Sequence, residues 1–197
     1  PFNARLSDRG LELATGAASD VTLRAGADGA KTTDLRFARI FLAAQSPVFE
    51  SMLFGGMLES DPDNPVRVEF SVEVVEQLLA YCASACLALT VDTAMELHKC
   101  ADFYQISGLV SATADYITSN LAAETAVGFY MDARVHVLEA LAQQCREYVE
   151  KHAAAALEGK RAARLSQDVF LELIQSDALV IAEIDLFQAV VSWGKHG

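Results

Sequence analysis

Strand chemistry occurs only in the first 120 residues of this 197-residue chain. Asp20-Val21-Thr22-Leu23-Arg24 is rich in β-formers, Gly26-Ala27-Asp28-Gly29 is a turn signal, and a second strand is expected over residues 31–37, which together predict a hairpin. Val66, Val68 and Phe70 alternate with Arg67 and Glu69, the period-two pattern of a half-buried strand. Beyond about Leu121 the apolar residues recur only at helical spacing. Leu138, Leu141, Cys145, Tyr148 and Val149 form one stripe, Val169, Phe170, Leu173 and Ile174 a second, and Leu186, Phe187, Val190 and Val191 a third. The expected architecture is therefore α+β over residues 1–120, a small sheet flanked by helices, followed by an all-α segment over 121–197.

The remaining helices of the first part have recognisable limits. Leu6, Leu11 and Leu13, with Ser7 and Asp8 as possible caps, predict a short helix ending near Gly16. Ile40-Phe41-Leu42-Ala43-Ala44 is continuous apolar sequence, which predicts a buried helix stopping at Ser46-Pro47. Proline suits the first position of the next helix, which carries Val48, Met52 and Leu53 and ends at Gly55-Gly56. Asp61-Pro62-Asp63-Asn64-Pro65 is a loop by its turn chemistry. Residues 72–81 return to helix, and 90–105 form a longer one with Ala94, Leu97, Ala101 and Tyr104 along one face. Gly108 is expected to break it, with residues 109–121 forming another.

Composition narrows the function. Hydrophobic residues make up 52% of the chain, ample for a buried core. The formal charge of −12 repels phosphate backbones and anionic bilayers, so neither nucleic acid nor membrane is an expected partner. No stretch of about 18 apolar residues suggests a membrane span. Of the four cysteines, Cys82 and Cys86 stand four apart, but no second Cys/His pair completes a zinc site. Cys82, Cys86, Cys100 and Cys145 are read as buried, reduced thiols, which fits a cytoplasmic or nuclear location. His98, His136, His152 and His196 are scattered, and no nucleophile elbow or phosphate loop is present. No catalytic residue, cofactor or metal is expected. The chain starts at Pro1 and stops just after Trp193, and it is read as a fragment of a longer protein.

The order of helix, hairpin, apolar helix, Ser-Pro helix, Gly-Gly, acidic turn, strand and helix pairs resembles a BTB/POZ domain. The resemblance is carried by Ser19-Asp20-Val21-Thr22-Leu23, by Leu42-Ala43-Ala44-Gln45-Ser46-Pro47-Val48-Phe49, by residues 52–60, and by Ala101-Asp102-Phe103-Tyr104-Gln105-Ile106. The second half resembles the BACK domain that often follows BTB, through Leu165-Ser166, residues 173–179, Glu183 and residues 186–193. Two positions depart from the family pattern: Ala38 stands where a histidine is common, and Ala83 where a second aromatic would follow Tyr81.

The resemblance implies an adaptor that performs no chemistry itself. It implies a homodimer in which Phe2, Leu6, Leu11 and Leu13 meet Phe41, Ala44 and Gln45 of a second copy. It implies binding to the N-terminal domain of the cullin-3 scaffold of a ubiquitin ligase, because Met57-Leu58-Glu59 fits the hydrophobic-x-Glu pattern of cullin-binding relatives, with Phe54 adding apolar area. Residues around Asn120 to Cys145 would extend that groove, and a substrate protein would be held by a domain outside this sequence. A BTB scaffold that dimerises without binding cullin is the alternative.

Overall fold

A computed structural model describes residues 10–27, 31–61 and 64–196. The chain divides into two compact units, Pro1–Thr113 and Ala114–Gly197.

The first unit is built on a three-stranded sheet. Strands β1 (Val21–Ala25) and β2 (Thr33–Phe37) pair antiparallel, with Leu23 opposite Leu35. Strand β3 (Val66–Val68) joins the other side of β1 in parallel, so the order is β2-β1-β3. Val21, Leu23 and Ala25 of β1 and Val66 and Val68 of β3 are buried, as period-two alternation requires. A helical stretch over residues 10–15 (α1) precedes the sheet. Helices α2 (Arg39–Gln45), α3 (Pro47–Phe54), α4 (Val72–Ser84) and α5 (Val91–Phe103) follow, and α6 (Ser107–Ser119) carries the chain across the division between the units. Leu42, Phe49, Leu53, Leu78, Leu97, Ala101, Tyr104 and Leu109 close the core over the sheet.

Two helical expectations are corrected here. The apolar run of α2 does not make a buried helix: Leu42 is buried, but Ile40 is 62% exposed and Ala44 is also exposed. Positions two apart on a helix lie about 200° around the axis, so a helix resting on the core by Leu42 must turn Ile40 and Ala44 outward. Nor does Gly108 break the long helix. The break is at Gln105, whose left-handed φ of 53° separates α5 from α6, while Gly108 sits inside the first turn of α6. Its lack of a side chain serves packing: a Cβ there would come within 2.3 Å of the Tyr81 hydroxyl.

The second unit is all helix: α7 (Ala126–Val135), α8 (Glu139–Lys151), α9 (Ala153–Ala156), a 3-10 turn (Gly159–Arg164), α10 (Gln167–Ile174) and α11 (Glu183–His196). The stripes of α8 and α10 turn inward as expected, with Leu141, Cys145, Val149, Val169, Phe170 and Leu173 buried. The stripe expected on α11 does not. Phe187 is 64% exposed, and Val190 and Val191 are also open to solvent. The helix is held instead by buried Ala189 and by Trp193, which stacks on Phe170 at 5.1 Å and donates from its indole nitrogen to the Leu165 carbonyl.

An ion network ties α7, α8 and α10 together. Glu150, buried on α8, accepts hydrogen bonds from Arg146 (2.9 Å) and from the Ser176 hydroxyl (2.8 Å). Arg146 also reaches Glu172, which in turn pairs with Arg134 at 3.0 Å. Burial by itself would raise the Glu150 pKa, but the hydrogen bonds from Arg146 and Ser176 outweigh it and hold the carboxyl below its ordinary value. A carboxylate whose folded pKa lies below its unfolded one stabilises the protein above the unfolded value, and that stabilisation is lost as pH falls through the folded one. Glu150→Gln is therefore expected to lower the thermal midpoint at pH 7, with the gap from wild type closing as pH drops below about 4. Thermal denaturation of both proteins from pH 7 to pH 3 checks this; a gap independent of pH would show that the network adds nothing through charge.

Candidate protein-interaction site

The Ser-Pro junction sets the position of α3. The Ser46 hydroxyl accepts from the Phe49 amide at 3.0 Å and donates to the Tyr104 carbonyl, so one buried side chain caps α3 and ties it to the end of α5. Pro47 supplies the first turn without wasting an amide. Phe49 and Leu53, four apart, face the core, and Phe49 stacks on Tyr104 with ring centres 4.1 Å apart. That orientation leaves Phe54, the last residue of α3, 53% exposed.

The segment that follows is short and pinned. Gly56 takes a φ of +75°, a left-handed turn that suits glycine, and a 3-10 turn over Leu58–Ser60 follows. The Ser60 hydroxyl donates to the Met52 carbonyl (3.0 Å) and accepts from the Gly56 amide (3.1 Å), closing the loop on itself. Arg39 braces it from α2. Its guanidinium donates to the carbonyls of Asp20 (2.9 Å) and Ser60 (3.3 Å) and lies over the Phe54 ring at 5.8 Å. Met57 and Leu58 are thereby held 52% and 78% exposed, with Glu59 half-buried beside them. Three large apolar side chains are thus exposed within five residues, on a backbone fixed by these contacts and flanked by a carboxylate.

The residues expected at a dimer interface are not all on one face. Leu11 packs against the core of its own unit, whereas Leu13, about 200° further around α1, is 51% exposed. Phe41 is half-buried, edge-on to Phe37 at 6.3 Å, while Ala44 and Gln45 are exposed. Phe2 and Leu6 lie outside the described residues. Ile40 and Ala44, four apart on the open face of α2, form an apolar strip to which the sequence assigned no joint role. Phe103, 65% exposed, was likewise given none; its position off the 97/101/104 stripe was the available signal.

The thiols need a correction. Cys82, Cys100 and Cys145 are buried, but Cys86 is exposed, because it follows the left-handed cap at Ala85 that ends α4. Burial pushes the Cys82 and Cys145 thiols up to about 12 and the Cys100 thiol up as well, which keeps all three protonated. His98 is buried, its Nδ1 2.8 Å from the Thr113 hydroxyl, and burial lowers its pKa. His152 stacks on Tyr148 with ring centres 4.5 Å apart, and His136 caps the end of α7. Among the described residues no three His, Cys, Asp or Glu side chains converge on a point that could hold a metal ion. None of the described helices is long and apolar enough to cross a membrane.

The first unit, a small mixed sheet walled by helices with an exposed apolar surface at the end of α3, is of α+β type, and the second unit is all helix. The BTB/POZ family profile matches residues 12–121, and the BACK profile (BTB And C-terminal Kelch) matches residues 126–197. The chain belongs to the BTB/POZ family and carries a BACK domain after it. Human Kelch-like protein 3 is 29% identical over 165 residues, which cover 83% of this chain and 28% of that protein. BTB/POZ domain-containing protein 9 of Drosophila melanogaster is 28% identical over 160 residues, covering 80% of this chain and 22% of that protein. The chain thus spans about a quarter of the length of these curated relatives. Among solved structures, the BTB domain of zebrafish PATZ1 aligns with a TM-score of 0.47 at 18% identity, covering 60% of this chain and 93% of that one. The BTB domain of human gigaxonin aligns with the same TM-score at 22% identity, covering 58% and 90%.

Proposed function

We propose that this chain is the dimerising, scaffold-binding part of a ubiquitin-ligase adaptor. Phe54, Met57, Leu58 and Glu59 are the contact to the N-terminal domain of cullin-3. The observation that carries this reading is the exposure of Phe54, Met57 and Leu58 on a backbone held by Ser60 and Arg39. Rigid apolar side chains lose little conformational freedom on docking, and a flanking carboxylate can pair with polar groups at the rim. The adaptor bridges its partners without covalent chemistry, and the substrate is held by a part of the protein beyond this sequence. The test is calorimetric titration of the chain with the cullin-3 N-terminal domain. A heat of binding with sub-micromolar affinity supports the reading; none from a folded protein leaves a BTB scaffold that assembles without cullin.

Dimerisation belongs to the same proposal. It is supported by the open strip of Ile40 and Ala44 on α2 and by exposed Leu13 on α1, beside Phe41 and Gln45. A two-fold interface would bury each patch against its own copy. Light scattering is expected to give twice the 21.2 kDa chain mass. The double variant Leu13→Asp/Ile40→Asp, changed only at exposed positions, is expected to give the single mass with unchanged circular dichroism. A monomeric wild type at micromolar concentration would rule the dimer out.

A further inference from the structure

A groove of about 750 Å³ opens on the first unit, and none of the residues of the proposed scaffold contact lines it. It runs between α1, β2, α4 and the segment after α4, and the inference drawn from it does not depend on the adaptor reading. Leu11, Leu35, Leu79 and Leu87 supply apolar lining, and Glu73 and Glu76 stand exposed along α4. Asp34, Leu35 and Arg36 all line it. Consecutive strand residues point to opposite faces of a sheet, so a groove that touches all three follows the edge of β2, not one face. Among the described strands the order β2-β1-β3 leaves β2 at an edge.

The polar groups of the groove are matched to a donor. Asp34 is paired with Arg24, and Arg36 donates to the Ser19 carbonyl. Among the described residues Glu73 and Glu76 form no ion pair, and Gln77 also lines the groove on the next turn of α4.

We propose that this groove receives an extended partner segment that alternates apolar and basic residues. The segment adds to the edge of β2 by backbone hydrogen bonds, places its apolar side chains on the leucines and sets its cations against Glu73 and Glu76. Main-chain pairing supplies affinity in such additions, and alternate side chains supply specificity. The carboxylates on one rim select against acidic segments, as the overall charge of −12 also does.

Cys86 makes the test local. It is the exposed cysteine of the four and lines the groove, so its alkylation by iodoacetamide, read by mass spectrometry, reports occupancy there. The probe is an acetylated, amidated heptapeptide of alternating valine and arginine, compared with its glutamate counterpart. At saturation the basic peptide is expected to slow Cys86 alkylation about fivefold, with no effect from the acidic one. Glu73→Lys/Glu76→Lys, changed at exposed helix positions, is expected to abolish that protection while alkylating normally without peptide. The proposal fails if millimolar basic peptide gives no protection, or if both peptides protect equally and the charge-reversed variant is still protected. It also fails if protection rises with protein concentration alone, which would assign the groove to a second copy of the chain.

Discussion

Met57→Asp/Glu59→Lys is expected to weaken binding to the cullin-3 N-terminal domain by at least about a hundredfold and to leave the dimer intact. Met57 is 52% exposed, so an aspartate there costs the fold little. At a partner surface the same aspartate would be desolvated without a counter-charge, which is costly. Lysine at position 59 reverses the charge that the rim presents. The backbone that displays these residues, held by the Ser60 hydroxyl and by Arg39, does not depend on either side chain. Titration calorimetry on wild type and variant, with light scattering on both, checks the prediction. Equal affinity would remove the loop after α3 from the interface, and loss of the dimer as well would show that the variant acts through assembly.

Phe49→Ala is expected to cost about 3–5 kcal/mol of stability, the range for truncating a fully buried aromatic ring. The ring is buried, lies flat on Tyr104, and sits one turn after the Ser46 cap that also holds the Tyr104 carbonyl. Its removal leaves a cavity at the junction of α3 and α5 and loosens the helix whose far end carries Phe54. Chemical denaturation should show a large fall in midpoint. A conservative Phe49→Leu, which keeps most of the volume, should lose less. If alanine cost under about 1 kcal/mol, the stack would not be what anchors α3.

Much of the first unit was legible because its signals are local. The hairpin follows from β-rich residues around a glycine turn, and its register places Leu23 against Leu35. The junction at Ser46-Pro47 carries a cap and a proline that act within one helical turn. The alternation of Val66 and Val68 around Arg67 states which side of β3 is buried. The Met57-Leu58-Glu59 segment could be singled out by its place in that order, but its exposure could not. Whether Met57 points to solvent depends on Ser60 bonding to Met52 and on Arg39 arriving from another helix.

The misread elements share a cause. Helix α11 is apolar on more than one side: Leu186, Ala189 and Trp193 share one helical spacing, and Ile184, Phe187 and Val191 share another. Periodicity announces an amphipathic helix but cannot choose between two apolar faces, and the choice falls to the Phe170–Trp193 stack and to Ser192 donating to the Gly159 carbonyl. In α2 the continuous apolar run names no inner face, and contact through Leu42 decides it. Gly108 looked like a breaker because glycine usually is one; it is there because the Tyr81 hydroxyl occupies the space. Cys86 looked buried by its apolar neighbours, but the left-handed turn at Ala85 carries it out of the helix. Sequence alone determined which segments are strand or helix and the family to which their order belongs, since caps, turns and periodicity act over a few residues. Tertiary structure decided which apolar faces are covered and which stay open for a partner, since burial is settled by side chains far away in the chain.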